Sequence, residues 1–112
     1  MKSGSVVLAR IQQADGQLKP RPVIVLTAVP PFSDLVVCAV SSQLKHECSG
    51  FDEIIATGDA DFATSGLKVD SLIRLGIVAT IPKSAIMGEL GEISTTRLQG
   101  LRSRLAHRIE AG

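Results

Sequence analysis

The chain has 112 residues, enough for one hydrophobic core and too few for two, and its 45% hydrophobic and 21% charged residues are an ordinary globular composition. A net charge of +1 excludes nucleic-acid binding driven by bulk charge. Three phenylalanines (Phe32, Phe51, Phe62) with no Trp or Tyr leave little from which to build an aromatic platform for stacking bases.

The first 90 residues read as β-rich and the last 18 as helical. Val6–Ile11 is a short apolar strand containing Arg10. Gln12–Pro20 is a polar connector with the turn pair Asp15–Gly16. Val23–Thr27 is a strand with β-branched residues on both faces, so it is expected to be buried on both. Ala28–Asp34 holds Pro30-Pro31 and reads as loop. Leu35–Ser41 is a second buried strand, in which Cys38 reads as a buried thiol. Ser42–Gly50 is a polar connector, Phe51–Ala56 a short strand and Thr57–Ser65 an exposed acidic loop. Ser71–Ile81 is a longer strand, with Gly76 marking a bulge or bend. Pro82–Ile86 is a single helical turn and Gly88–Ile93 a last strand. Hydroxyls at Ser94–Thr96 can cap a helix. Behind them Leu98, Leu101, Leu105 and Ile109 form one apolar stripe, suited to packing on the sheet or on a second copy. Short strands followed by one helix argue for a small, strongly bent antiparallel β-barrel with a C-terminal α-helix, in a single domain spanning 1–112.

Charge is segregated. Between His46 and Asp61 there are five acids and no Lys or Arg; from Ser94 onward there are four arginines and one acid. The pattern fits either a charge-divided surface or plain solvated faces. Two cysteines, Cys38 and Cys48, do not make a disulfide scaffold. No apolar run approaches the ~18 residues of a membrane helix, and no leader-like segment is visible, so a cytoplasmic setting is expected.

Three segments, in order along the chain, resemble the MazF/PemK toxins. These are Gly4-Ser5-Val6-Val7-Leu8; Lys19-Pro20-Arg21-Pro22 running into Val23–Thr27; and Gly66–Leu75, continuing through Thr80-Ile81-Pro82-Lys83 to Gly91-Glu92-Ile93-Ser94. The last is similar to the family's Leu-x-x-Asp-Ser strand, Thr-Ile-x-Lys turn and Gly-x-Leu-Ser lead into a helix. The resemblance implies an SH3-like barrel and the toxin component of a type II toxin–antitoxin system. It further implies metal-independent, sequence-specific cleavage of single-stranded RNA by a homodimer, and a cognate antitoxin whose tail fills the substrate groove. There are departures. Val69 stands where many relatives carry an arginine, Ile77-Val78-Ala79 replaces a Gln-x-Arg signature, and the Gln12–Pro20 connector is short. Two other readings therefore stand beside the ribonuclease: a non-enzymatic, protein-binding toxin of the CcdB type, and a degenerate interaction module. The first lacks an aromatic anchor at the helix end.

Metal-free RNA cleavage needs proton transfer and fixed cations beside the phosphate. Arg21 is the main catalytic candidate. Two prolines stiffen its base, and a guanidinium fork matches phosphate oxygens; the alternative is a strand-end arginine in a salt bridge. Ser41 stands where the family places Thr or Ser, and Ser42 is its neighbour; the alternative for both is turn chemistry. Asp70 is a candidate to accept a proton or to orient Arg21, or else a structural carboxylate. Lys19, Ser42, Lys68 and Ser71 complete an expected RNA-binding set. His46 is an acid–base candidate if a groove brings it near Arg21, and otherwise a plain exposed histidine. His46-x-Cys48 does not make a zinc site, and Asp59 and Asp61 lack the spacing of a nuclease metal pair, so no metal and no cofactor is expected.

Overall fold

The computed structural model describes residues 1–12, 16 and 18–112. Six strands form β1 (Ser5–Gln12), β2 (Leu18–Val29), β3 (Asp34–Ser41), β4 (Glu53–Ile55), β5 (Ser71–Ile81) and β6 (Ile86–Glu92). They make one antiparallel sheet of order β4-β5-β3-β2-β1-β6. A one-turn helix α1 (Phe62–Ser65) precedes β5, and the long helix α2 (Thr95–Ala111) closes the chain. This is the mainly-β architecture with a C-terminal helix that the strand pattern predicts. Two bounds differ. Lys19 and Pro20, expected in a connector, belong to β2, as do Ala28 and Val29. Asp15 of the expected Asp15–Gly16 turn lies outside the described residues.

Runs that are apolar at every position become strands buried on both faces. On one face Val6, Ile24, Leu26, Cys38, Val40, Ile73 and Leu75 pack with Leu98 and Leu101 of α2. On the other, Val7, Ala9, Val23, Val25 and Val37 are covered from the far end of β5 by Ile81, with Ala85 and Ile86 beyond it. Burial at the centre pushes the Cys38 thiol up to about 12, so it serves as a small apolar residue.

One sheet can present two buried faces because it is bent. Gly76 sits at the largest bend: Cys38 pairs with Val78 but Ala39 pairs with Arg74, leaving residues 75–77 without β3 partners. The buried carboxylate of Asp52 repairs the break, accepting the Leu75 N–H at 3.1 Å and the Cys48 N–H at 3.0 Å. A second irregularity, between Val25 and Thr27, coincides with a Leu26 carbonyl that accepts the Arg102 Nε–H at 2.7 Å. The sheet's two edges, β4 and β6, meet through the α1 segment. A Cβ at Gly91 would lie 2.1 Å from the Thr64 carbonyl oxygen, and one at Gly66 would lie 2.1 Å from that of Leu90. Backbone is pressed on backbone there, and only glycine fits.

The expected exposed acidic loop at Thr57–Ser65 is corrected. Residues 57–60 form an exposed turn apart from the half-buried Asp59, but Asp61 and Ser65 are buried and Phe62–Ser65 folds into α1. The reason is Arg97. Its guanidinium bonds Glu53 at 2.6 Å, Asp59 at 2.9 Å and Asp61 at 2.9 Å, so helix and barrel are joined by one fork. Arg104 adds a second contact to Glu53. The acidic run and the basic helix therefore meet each other; the charge segregation is largely consumed inside the fold. Ser94 caps α2 as expected, its Oγ accepting the Arg97 N–H at 3.1 Å. Leu98 and Leu101 are buried, but Ile109 at the end of the stripe is 71% exposed. Among the described residues no helix is long and apolar enough to cross a membrane.

Candidate functional site

Strand ends build the site. Before Val23, β2 has no pairing with β3, which leaves an open edge where Pro20 and Pro22 cost no ladder bonds on that side. Val23 pairs with Ala39, so two residues further out Arg21 stands level with Ser41. Arg21 is exposed and lies opposite Ala9 of β1.

Two adjoining hollows open on this edge. One, of about 530 Å³, is lined by Arg21, Ser41 and Ser42 together with His46, Arg74 and Ile77. The other, of about 280 Å³, is lined by the same Arg21, Ser41 and Ser42 together with Lys68, Val69 and Ser71. Arg21, Ser41 and Ser42 are thus the shared wall of one continuous groove. Among its described lining residues are two arginines, one lysine and no acid. That imbalance favours an anionic occupant.

The serines are ordered. Ser41 Oγ accepts the Gln43 N–H at 3.0 Å, and this fastens the turn leaving β3. Ser71 Oγ donates to the Val69 carbonyl at 2.8 Å. Lys68 is exposed at the rim. Two members of the expected set stand apart from these hollows. Lys19 is exposed on β2, opposite Ile11. Asp70 accepts the Thr57 N–H at 2.8 Å and the Thr57 hydroxyl at 2.6 Å. The Thr57 hydroxyl, then its amide, hold the Asp70 carboxyl below the usual carboxylate range, so the group is fixed as an anion. Its partner is Thr57 rather than Arg21.

Arg74 was not among the residues the sequence put forward. It reaches the groove from β5, and its Nε is buried with no hydrogen-bond partner among the described residues. The signal was present: Arg74 is the one charged residue in the run Ser71–Ile81. Among the described residues, no three His, Cys, Asp or Glu side chains gather as metal ligands.

Comparison with known proteins adds to this geometry. Residues 2–109 match the family described as PemK-like, MazF-like toxin of type II toxin–antitoxin system. Among solved structures, the Mycobacterium tuberculosis toxin MazF-mt6 is similar with a TM-score of 0.69, over 95% of this chain and 96% of that one. At 17% identity this likeness concerns the fold. No curated protein matches the chain.

Proposed function

The chain belongs to the PemK-like, MazF-like toxins of type II toxin–antitoxin systems, and from that premise we propose that it is a metal-independent endoribonuclease acting on single-stranded RNA in the cytoplasm. The observation that carries this reading is the groove itself. An exposed arginine on a proline-stiffened base shares its wall with two hydroxyls, and among the described lining residues both sides carry cations and no acid. RNA supplies its own nucleophile. The 2′-hydroxyl attacks the adjacent phosphorus, the bond from phosphorus to the 5′-oxygen breaks, and a 2′,3′-cyclic phosphate remains. Arg21 gives its fork to the non-bridging oxygens as their charge grows. Ser41 and Ser42 donate hydroxyl hydrogen bonds to the same phosphate. Lys68 and Ser71 hold the chain on one side, and Lys19 meets it beyond the groove. Asp70 acts at a distance, bracing the start of β5 through Thr57.

The rim of the groove is apolar as well as basic. Val69 is 55% exposed and Ile77 is 44% exposed. Such a surface suits an extended acidic peptide with apolar side chains, and this is the part assigned to the cognate antitoxin. A homodimer is part of the same proposal.

The test is incubation of the purified protein with a long single-stranded RNA in EDTA, with end-group analysis. Fragments ending in cyclic phosphate are expected, and a substrate carrying 2′-deoxyribose at the cleavage position is expected to stay intact. Cleavage of the deoxy substrate, or activity abolished by EDTA, would overturn the proposed chemistry. Intact RNA alongside a folded protein would turn the reading toward a protein-binding toxin.

A further inference from the structure

The groove as described so far holds a phosphate but moves no proton. Arginine and lysine side chains are cations at neutral pH, and serine hydroxyls do not ionise there. Asp70 lines neither hollow, and its carboxylate accepts the Thr57 amide and hydroxyl instead. Among the described side chains that line the groove, the one suited to general acid–base work is the imidazole of His46.

The segment that carries His46 is tied to the catalytic wall. Ser41 Oγ accepts the Gln43 N–H at 3.0 Å, and the Gln43 carbonyl accepts the His46 N–H at 3.1 Å. The Ser42 carbonyl accepts the Leu44 N–H at 3.1 Å. His46 ends this short turn and faces the same hollow as Arg21 of β2 and Arg74 of β5; Lys45 and Glu47 flank it on its own segment.

Arg74 adds an independent observation. It is the last residue of β5 paired with β3 before the bulge, opposite Ala39. Its buried Nε finds no acceptor among the described residues. Arg74 also lines the hollow, where an anion would meet its positive charge.

We propose that His46 is the proton-transfer residue of this groove and that Arg74 is its second phosphate-holding cation. The proposal rests on the ribonuclease reading above. Neutral His46 takes the proton from the 2′-hydroxyl as the bond from 2′-oxygen to phosphorus forms. It gives the same proton to the 5′-oxygen as the bond from phosphorus to that oxygen breaks. Atoms and charge balance within one turnover, and His46 is neutral again at the end. Arg21 and Arg74 hold the phosphorane between them.

The experiment compares wild type, His46→Gln, Arg74→Gln and Arg74→Lys in single-turnover RNA cleavage in EDTA, from about pH 5 to pH 8. RNA binding is followed in parallel against salt concentration, and a thermal melt of each variant checks folding. His46→Gln is expected to cleave about 10²–10³-fold more slowly and to lose the rise in rate with pH that imidazole deprotonation gives. Added imidazole is expected to restore part of the rate in His46→Gly. Arg74→Gln is expected to weaken binding and to flatten the log–log salt slope by about 0.7, the value for one lost single-strand phosphate contact. Arg74→Lys keeps the charge and the stem, and is expected to keep the slope while losing rate. A wild-type rate and pH profile in His46→Gln would overturn the assignment of His46. An unchanged salt slope in Arg74→Gln would overturn that of Arg74. Either result would leave the groove's ribonuclease reading standing, whereas intact RNA with wild type would remove that reading and this proposal together.

Discussion

Arg97→Ala is expected to lower stability by about 3–5 kcal/mol, the cost of stripping one partner from a buried ion cluster. Three carboxylates lose their shared cation at once. Asp61 is the worst placed, since its side chain is only 8% exposed; the Asp59 and Glu53 side chains are 38% and 26% exposed. In wild type the hydrogen bond from Arg97, ahead of the opposing effect of burial and of the Ser94 N–H, holds the Asp61 carboxyl down to about 2, against 3.8 when free. A carboxyl depressed on folding stabilises the protein above its free value, and this contribution is lost as pH falls from 3.8 through about 2. Without Arg97, the buried Asp61 prefers to be protonated, so acid relieves the variant. The gap between wild type and Arg97→Ala should therefore be widest near neutral pH and should close between about pH 4 and pH 2. Thermal melts should show a drop of roughly 10–20 °C at pH 7. A small drop, or a gap independent of pH, would mean that the cluster does not anchor α2.

Gly91→Ala and Gly100→Ala are expected to have opposite signs, although the substitution is chemically identical. At Gly91 a methyl group would lie 2.1 Å from the Thr64 carbonyl oxygen and 2.6 Å from the Ser65 carbonyl carbon. Both are backbone atoms and cannot turn aside as a side chain would, so β6 and α1 must separate. The cost is at or above the upper end of the ~1–3 kcal/mol usual for overpacking. At Gly100 nothing lies within 4 Å, and the residue sits inside α2. Alanine there should add about 0.8–1 kcal/mol from helix propensity. Denaturant midpoints of the two variants against wild type measure both effects. Wild-type stability in Gly91→Ala would show that the two sheet edges do not meet through backbone contact.

Most of the strands could be read from the chain, because runs such as Val23–Thr27 and Leu35–Val40 are apolar and β-branched on both faces. β5 was predicted over Ser71–Ile81 and observed over the same residues. The acidic loop was misread because its fate depends on Arg97, which is 36 residues from Asp61 in sequence. No local signal says that Asp61 will meet a guanidinium; only the docking of α2 against β4 brings them together. The start of β2 was misread for a related reason. Two prolines argue against a strand in general, but not on an edge that faces no partner. At the site, Arg21, Ser41 and Ser42 fall on one wall as the strand ends suggest, with Lys68 and Ser71 beside them. Asp70 is near in sequence, yet its carboxylate is committed to Thr57 across the start of β5. Arg74 was legible in principle, since a lone charge in an apolar strand must find a polar outlet, and the groove is that outlet.

The central claim is that the wall formed by Arg21 and Ser41 is where RNA is cut. The most direct measurement is single-turnover cleavage of RNA in EDTA by wild type, Arg21→Ala and Arg21→Lys, each first shown by its melting curve to be folded. Arg21 is an exposed side chain on β2, and the melts show how far its loss touches the fold. Arg21→Ala is expected to cleave about 10²–10³-fold more slowly than wild type, and Arg21→Lys to recover part of the rate through charge alone. Equal rates in wild type and Arg21→Ala would contradict this, and would place the chemistry elsewhere on the molecule.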